Sequence, residues 1–166
     1  SASIAVPWLQ DYTAGASAQV LFNAAEGRPL AALRFAEGDS LQIRSQLLQS
    51  LCEIKNGRRS IQQTVALAAK IGESEVLQHF SPALSKLTKY SLTGIEAREG
   101  DPDLESMYRL INPHEKFEVS PATANRLMQF FVDVETSRRQ LASTANPNPQ
   151  LIMESLLWRW SNLRLS

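Results

Sequence analysis

A single cysteine, Cys52, leaves the chain nothing with which to close an intramolecular disulfide, and its solitary thiol suits a reducing compartment, the cytoplasm. Histidine is nearly as scarce. His79 and His114 stand far from each other and from Cys52, so the roughly four clustered ligands of a structural zinc site are missing and no metal is expected. The seven glycines never fall as Gly-x-x-x-x-Gly-Lys-Ser/Thr or as Gly-x-Gly-x-x-Gly, which removes the common phosphate-cradling loops; no cofactor is expected. Excess charge is lacking too. Lys+Arg and Asp+Glu are equal at 17 each, so no global field draws nucleic acid or anionic lipid, and no autonomous DNA affinity is expected. No apolar run approaches the roughly 20 residues of a membrane span. No charged-then-apolar leader opens the sequence. Residue 1 is Ser rather than Met, which reads as a processed or excised piece, with residues 1–6 a disordered end or an added remnant.

What the chain does have is apolar content and helix punctuation. At 43% hydrophobic, its 166 residues can bury a sizeable core, enough for one ordinary domain or one domain plus a small appendage. No alternating Val/Ile/Thr pattern marks a strand, and nearly every glycine and proline sits where a helix would start or stop. The expected fold class is therefore all-α. Short Ala-rich helices are expected over Pro7–Tyr12, Ala16–Glu26 and Pro29–Glu37, closed by Gly27 and Gly38. They bury little and are too small a unit to be stable alone.

Asp39 then caps a helix, with Gln42 as its capping-box partner, which runs to Asn56-Gly57 with Leu47, Leu48, Leu51, Cys52 and Ile54 on one side. Ser60 opens the next, to Gly72. A helix over about Glu73–Phe80 follows; Ser81-Pro82 is expected to break the chain and restart it, with another interruption at Thr93-Gly94 and fraying at Arg98–Gly100. Asp101-Pro102 opens a short helix carrying Leu104, Met107, Tyr108 and Leu110. Asn112-Pro113 and HEKFEV form an irregular connector. No repeat and no low-complexity tract stands out.

The chain is organised around its last two helices. Ser120-Pro121 and Asn148-Pro149 each pair an N-cap with the one helical position that tolerates proline. In the first, Ala124, Leu127, Met128, Phe131, Val134 and Leu141 share a stripe, and Arg138 projects into its middle. In the second, Ile152, Met153, Leu156, Leu157, Trp160 and Leu163 form a broad apolar face. Leu151 and Trp158 project from the other side among polar residues. A helix with apolar groups on two sides has something to bury on two sides: its own core, and either a partner chain or a second layer of the same domain.

Little here points to bond-making chemistry. Cys52 lies on an apolar helix side with no fixed cation beside it, which makes a buried, inert thiol the better reading than a nucleophile. His114 reads as a solvated loop residue, Asp101/Asp103 and Glu73/Glu75 as helix N-terminal acids favoured by the dipole, and Arg58-Arg59 as a solvated corner. Asn146-Pro-Asn-Pro reads as a stiff helix–helix corner. Arg138 must pair or reach water, with Glu135 the local candidate and a carboxylate on another helix or chain the alternative. No catalytic residue is expected. Arg138, Arg139, Leu151 and Trp158 are the partner-interface candidates.

The runs RRQLASTANPNPQLIMESLLWRW and AAEGRPLAALRFAEGD resemble the delta-prime subunits of the bacterial DNA polymerase III clamp loader, and the resemblance extends over Pro7 to Leu163, weakest between Asn56 and Val119. It implies a small three-helix AAA+-type lid at 7–38 and a helical-bundle collar at 39–166 ending in a long helix hairpin, with the AAA+ core absent. The implied role is non-catalytic: collar-mediated assembly with the gamma/tau and delta subunits, supporting ATP-driven loading of the sliding clamp during DNA replication in the bacterial cytoplasm. DNA would be met only through the whole assembly. Any polymerase activity would belong to the holoenzyme and not to this chain. ATP-hydrolysing relatives carry Gly-x-x-Arg in the lid; here Gly27-Arg28-Pro29-Leu30 places Leu30 where that arginine would be, and a leucine cannot contact phosphate. That departure matches the non-hydrolysing member of the family, and no nucleotide contact is expected. A free-standing helical adaptor is the alternative reading.

Overall fold

The computed structural model describes residues 7, 40–95, 101–114, 118–143, 145 and 147–165. The expected lid at 7–38 lies outside the described residues apart from Pro7, as do Asp39, Arg98–Gly100 and Asn146. The described part is all-α, with six helices and no strand among the described residues: α1 (Ser40–Lys55), α2 (Ile61–Ile71), α3 (Glu73–Thr93), α4 (Pro102–Ile111), α5 (Pro121–Ala142) and α6 (Pro149–Asn162).

Local chemistry sets most boundaries. Gly57, at φ 69°, turns the chain out of α1 in the left-handed region that residues with a Cβ avoid. Ser60 and Gln63 form a reciprocal capping box at the start of α2: the Ser60 hydroxyl accepts from the Gln63 N–H at 3.2 Å, and the Gln63 Oε1 accepts from the Ser60 N–H at 2.9 Å. Ser120 caps α5 by accepting from the Thr123 N–H. Asn148 caps α6, its Oδ1 accepting from the Gln150 and Leu151 N–H groups at 3.1 and 3.3 Å.

The longest helices, α3 and α5, run antiparallel and make the most extensive contact of any described pair. Their ends are tied where the Ser120 N–H donates to the Ser91 carbonyl at 3.1 Å. On the other flank of α5, α6 runs back antiparallel, fixed by an Arg159–Asp133 ion pair at 2.9 Å and by the Arg126 guanidinium donating to the Arg164 carbonyl at 3.1 Å. Helices α1 and α2 close over α6, and α4 lies against α1 and α3. One core joins all six, with Leu47, Leu51, Phe80, Leu84, Met107 and Trp160 almost wholly enclosed.

Two expectations about α3 and α5 need correction. Helix α3 is unbroken across Ser81-Pro82. An interior proline loses a backbone hydrogen bond and costs about 3 kcal/mol in an isolated helix. Here Val76, Leu77 and Phe80 before it and Ala83, Leu84 and Leu87 after it bury into the same core, so packing on both halves holds the helix through the proline. The Ser81 hydroxyl also donates to the Glu135 carboxylate on α5, pinning the helix at that point. In α5 the apolar stripe is rotated from its expected centre: Phe130 is buried, Phe131 and Leu141 are only half-buried, and Met128 is 53% exposed. The cause is that α5 has neighbours on two flanks, and Phe130 turns toward α6, its ring 5.6 Å from that of Trp160.

Candidate interaction surface

The last helix presents the two faces that its sequence implies. Met153, Leu156, Leu157 and Trp160 are sunk in the core, while Leu151 and Trp158 are 60% and 62% exposed. Seven residues apart, these two stand two helical turns from each other, about 10 Å, on one side of α6. Between α6 and α5 runs a groove of about 400 Å³, with Leu151, Ile152 and Leu156 on one wall and Thr136, Ser137 and Gln140 on the other. The Arg159–Asp133 pair lies along the same groove, and both side chains are partly solvent-exposed. Such a pair contributes little to folding, about 0–1 kcal/mol, and can rearrange at low cost when another surface docks.

The two arginine candidates lie elsewhere. Arg138 does not sit in the middle of the apolar stripe; its guanidinium is partly exposed and bonds Glu135 Oε1 at 3.0 Å. Because Glu135 also accepts the Ser81 hydroxyl of α3, Arg138 is directed to the α3 flank of α5, away from the groove beside α6. The Ser81 hydrogen bond, and after it the bond and charge of Arg138, hold the Glu135 carboxyl below its usual range. Arg139 is exposed and bonds the Thr136 hydroxyl at 3.3 Å. The structure thus brings together Leu151 and Trp158, and leaves Arg138 and Arg139 apart from them.

A buried charge cluster was not foreseen. Arg44 lies on the inward side of α1 and bonds Asp101 with both terminal nitrogens, at 3.2 and 2.9 Å, and Asp103 at 3.2 Å. Asp103 also accepts the Ser45 hydroxyl at 2.8 Å, and Asp101 caps α4. The two aspartates are therefore more than dipole-favoured surface acids: they clamp α4 to α1. The only sequence signal was a charged residue among the leucines of α1, whose partners lie 57 and 59 residues away.

The remaining titratable groups are packed in. Burial, helped by Glu53 and Asp103, pushes the Cys52 thiol up to about 11, so it stays protonated and a poor nucleophile at neutral pH. His114 is exposed in the connector after α4. Among the described residues no group of three or more His, Cys, Asp or Glu side chains converges as metal ligands, and no helix is long and apolar enough to cross a membrane.

His79 is buried on α3, with Glu75 Oε1 4.0 Å from its Nε2. Burial, and then the nearby Arg44 charge, lower its pKa from 6.5 to about 4. The imidazole stays neutral in the fold while the unfolded chain takes up a proton. Stability from this residue is complete above 6.5 and is lost as pH falls toward 4. The slope reaches about 1.4 kcal/mol per pH unit. Urea unfolding followed from about pH 7 to about pH 4.5 is expected to show His79→Gln losing less stability on acidification than the wild type. Parallel curves for the two proteins would show that the imidazole titrates alike in both states.

Comparison of the chain with protein-family models, with curated proteins and with solved structures finds no match.

Proposed function

We propose that this chain is a non-catalytic assembly module, the lid and collar portion of a replicative clamp-loader subunit of the delta-prime kind, which holds neighbouring loader subunits in register through the outer face of α6. The resemblance of the RRQLASTANPNPQLIMESLLWRW run supports the class of assembly, and one observation carries the surface. Trp158 is 62% exposed on a helix whose opposite face ends in the wholly enclosed Trp160. The exposed Leu151 stands on the same side of the helix, and tryptophan is among the residue types most enriched at the energetic centre of protein interfaces. The partners on this reading are the gamma/tau and delta subunits, in the cytoplasm. The chain contributes shape, and the nucleotide chemistry and the DNA contacts belong to the rest of the assembly.

Co-purification with the other loader subunits, followed by the mass of the assembly, tests the reading. Trp158→Ala is expected to weaken binding by about 2 kcal/mol or more, roughly 30-fold. Stability of the isolated chain is expected to change by no more than about 0.5 kcal/mol. Unchanged binding with a large loss of stability would make Trp158 part of the chain's own fold. Failure of the wild-type chain to bind any loader subunit would favour the free-standing adaptor instead.

A further inference from the structure

A second groove, of about 610 Å³, lies on a different part of the molecule, between the C-terminal half of α1 and α4. Its volume falls within the range of small-molecule sites. Two of the residues lining it are arginines, Arg58 just past the end of α1 and Arg109 on α4. Arg58 is exposed, and its side chain has no hydrogen-bonding or ionic partner among the described residues. Among the described residues the Arg109 side chain is held only by Glu105 one turn earlier, in a pair with both side chains more than half exposed. Exposed pairs at this spacing contribute only about 0.3–0.5 kcal/mol, so a better acceptor displaces Glu105 readily.

Carboxylates also line the groove, and both are already bonded by other side chains. Asp103 is bonded by Arg44 and Ser45, and Glu53 by Gln49 at 3.0 Å and Arg59 at 3.6 Å. Cys52, on the floor, is kept neutral. The groove therefore offers two guanidinium groups whose own bonds are few, beside an uncharged surface of Pro102, Leu110 and Cys52. Guanidinium pairs of this kind match an anion with several equivalent oxygens and nearly two negative charges.

We propose that this groove binds a phosphate monoester, with the phosphate taken by Arg58 and Arg109 and its uncharged organic body laid on Pro102, Leu110 and Cys52. A phosphate monoester carries about −1.5 to −2 charges at neutral pH and three terminal oxygens, which fits two planar donors better than a single carboxylate does. The site is independent of the α6 face and of the assembly reading.

The test is a titration of the full chain, followed by amide NMR shifts, with ribose 5-phosphate, unphosphorylated ribose and inorganic phosphate at matched ionic strength. Ribose 5-phosphate is expected to shift resonances of residues 49–58 and 102–110. The double variant Arg58→Gln with Arg109→Gln is expected to bind it about tenfold more weakly or worse. Arg164→Gln, which alters an exposed arginine after α6, is expected to bind as the wild type does. The proposal is overturned by shifts outside these two segments, by equal binding in the double variant, or by no saturable binding. Ribose alone binding as tightly as its phosphate would also overturn it. So would inorganic phosphate matching the ester, which would leave an ion site with no role for the organic body.

Discussion

Arg44→Ala is expected to destabilise the protein by about 3–5 kcal/mol, measured by urea unfolding at neutral pH. The guanidinium and the Asp101 carboxylate are both nearly sealed from solvent, with side-chain exposures of 5% and 1%. Truncating Arg44 leaves the Asp101 charge enclosed without its cation, and an uncompensated buried charge costs far more than the intact pair contributes. A compensating substitution follows from the same reasoning. Arg44→Met combined with Asp101→Asn removes the sealed pair while Asn can still cap α4, leaving charged only Asp103, which is more exposed and keeps its Ser45 bond, so the double variant is expected to be more stable than Arg44→Ala alone. A loss under about 1 kcal/mol for Arg44→Ala would mean that water reaches the Asp101 carboxylate and that the clamp is not sealed. Because the clamp joins α4 to α1, loosening it is also expected to raise hydrogen exchange in α4 before the rest of the core.

Trp160→Ala is expected to cost a similar amount, about 3–5 kcal/mol, in the same unfolding measurement. Trp160 is fully enclosed, its indole N–H donates to the Leu51 carbonyl at 2.9 Å, and its ring meets Phe130. Lys55 lies with its ammonium 5.2 Å from the centre of the indole and donates to the Leu163 carbonyl. Burial lowers the Lys55 pKa to about 8. The substitution therefore opens a cavity, removes the indole bond to the Leu51 carbonyl near the end of α1 and takes away the ring beneath a partly desolvated ammonium. Trp160→Phe keeps much of the apolar volume and loses the N–H, so its cost is expected to fall between those of wild type and alanine. The neighbouring substitution Trp158→Ala, two positions away, serves as the internal control, since that side chain faces water. Equal losses at positions 158 and 160 would contradict the assignment of α6 to two different surroundings.

The helix boundaries were legible because their causes are local. Ser60 with Gln63, Asp101-Pro102, Ser120-Pro121 and Asn148-Pro149 each place a capping oxygen within three residues of the amides it satisfies, and the structure uses them all. The two-sided character of α6 was also legible, since seven residues of helix carry Leu151 to the same side as Trp158 wherever the helix is placed.

The continuity of α3 was not legible. Pro82 signals a break locally, and only the core contacts of Phe80 and Leu84 on either side override it. The turn of α5 that buries Phe130 and exposes Met128 depends on where α3 and α6 lie, which the period of one helix cannot report. Most distant of all was the Arg44 clamp, since side chains 57 and 59 residues apart meet only after α1 and α4 have docked.

By itself the sequence determined the all-α class, the capped helix ends and the outward Leu151–Trp158 side of the last helix, because each depends on backbone and side-chain chemistry within about two turns of chain. Tertiary structure alone decided which charges are sealed inside, how far each stripe is rotated, and that a proline may sit within an unbroken helix, because those outcomes depend on what a neighbouring helix places against each side chain.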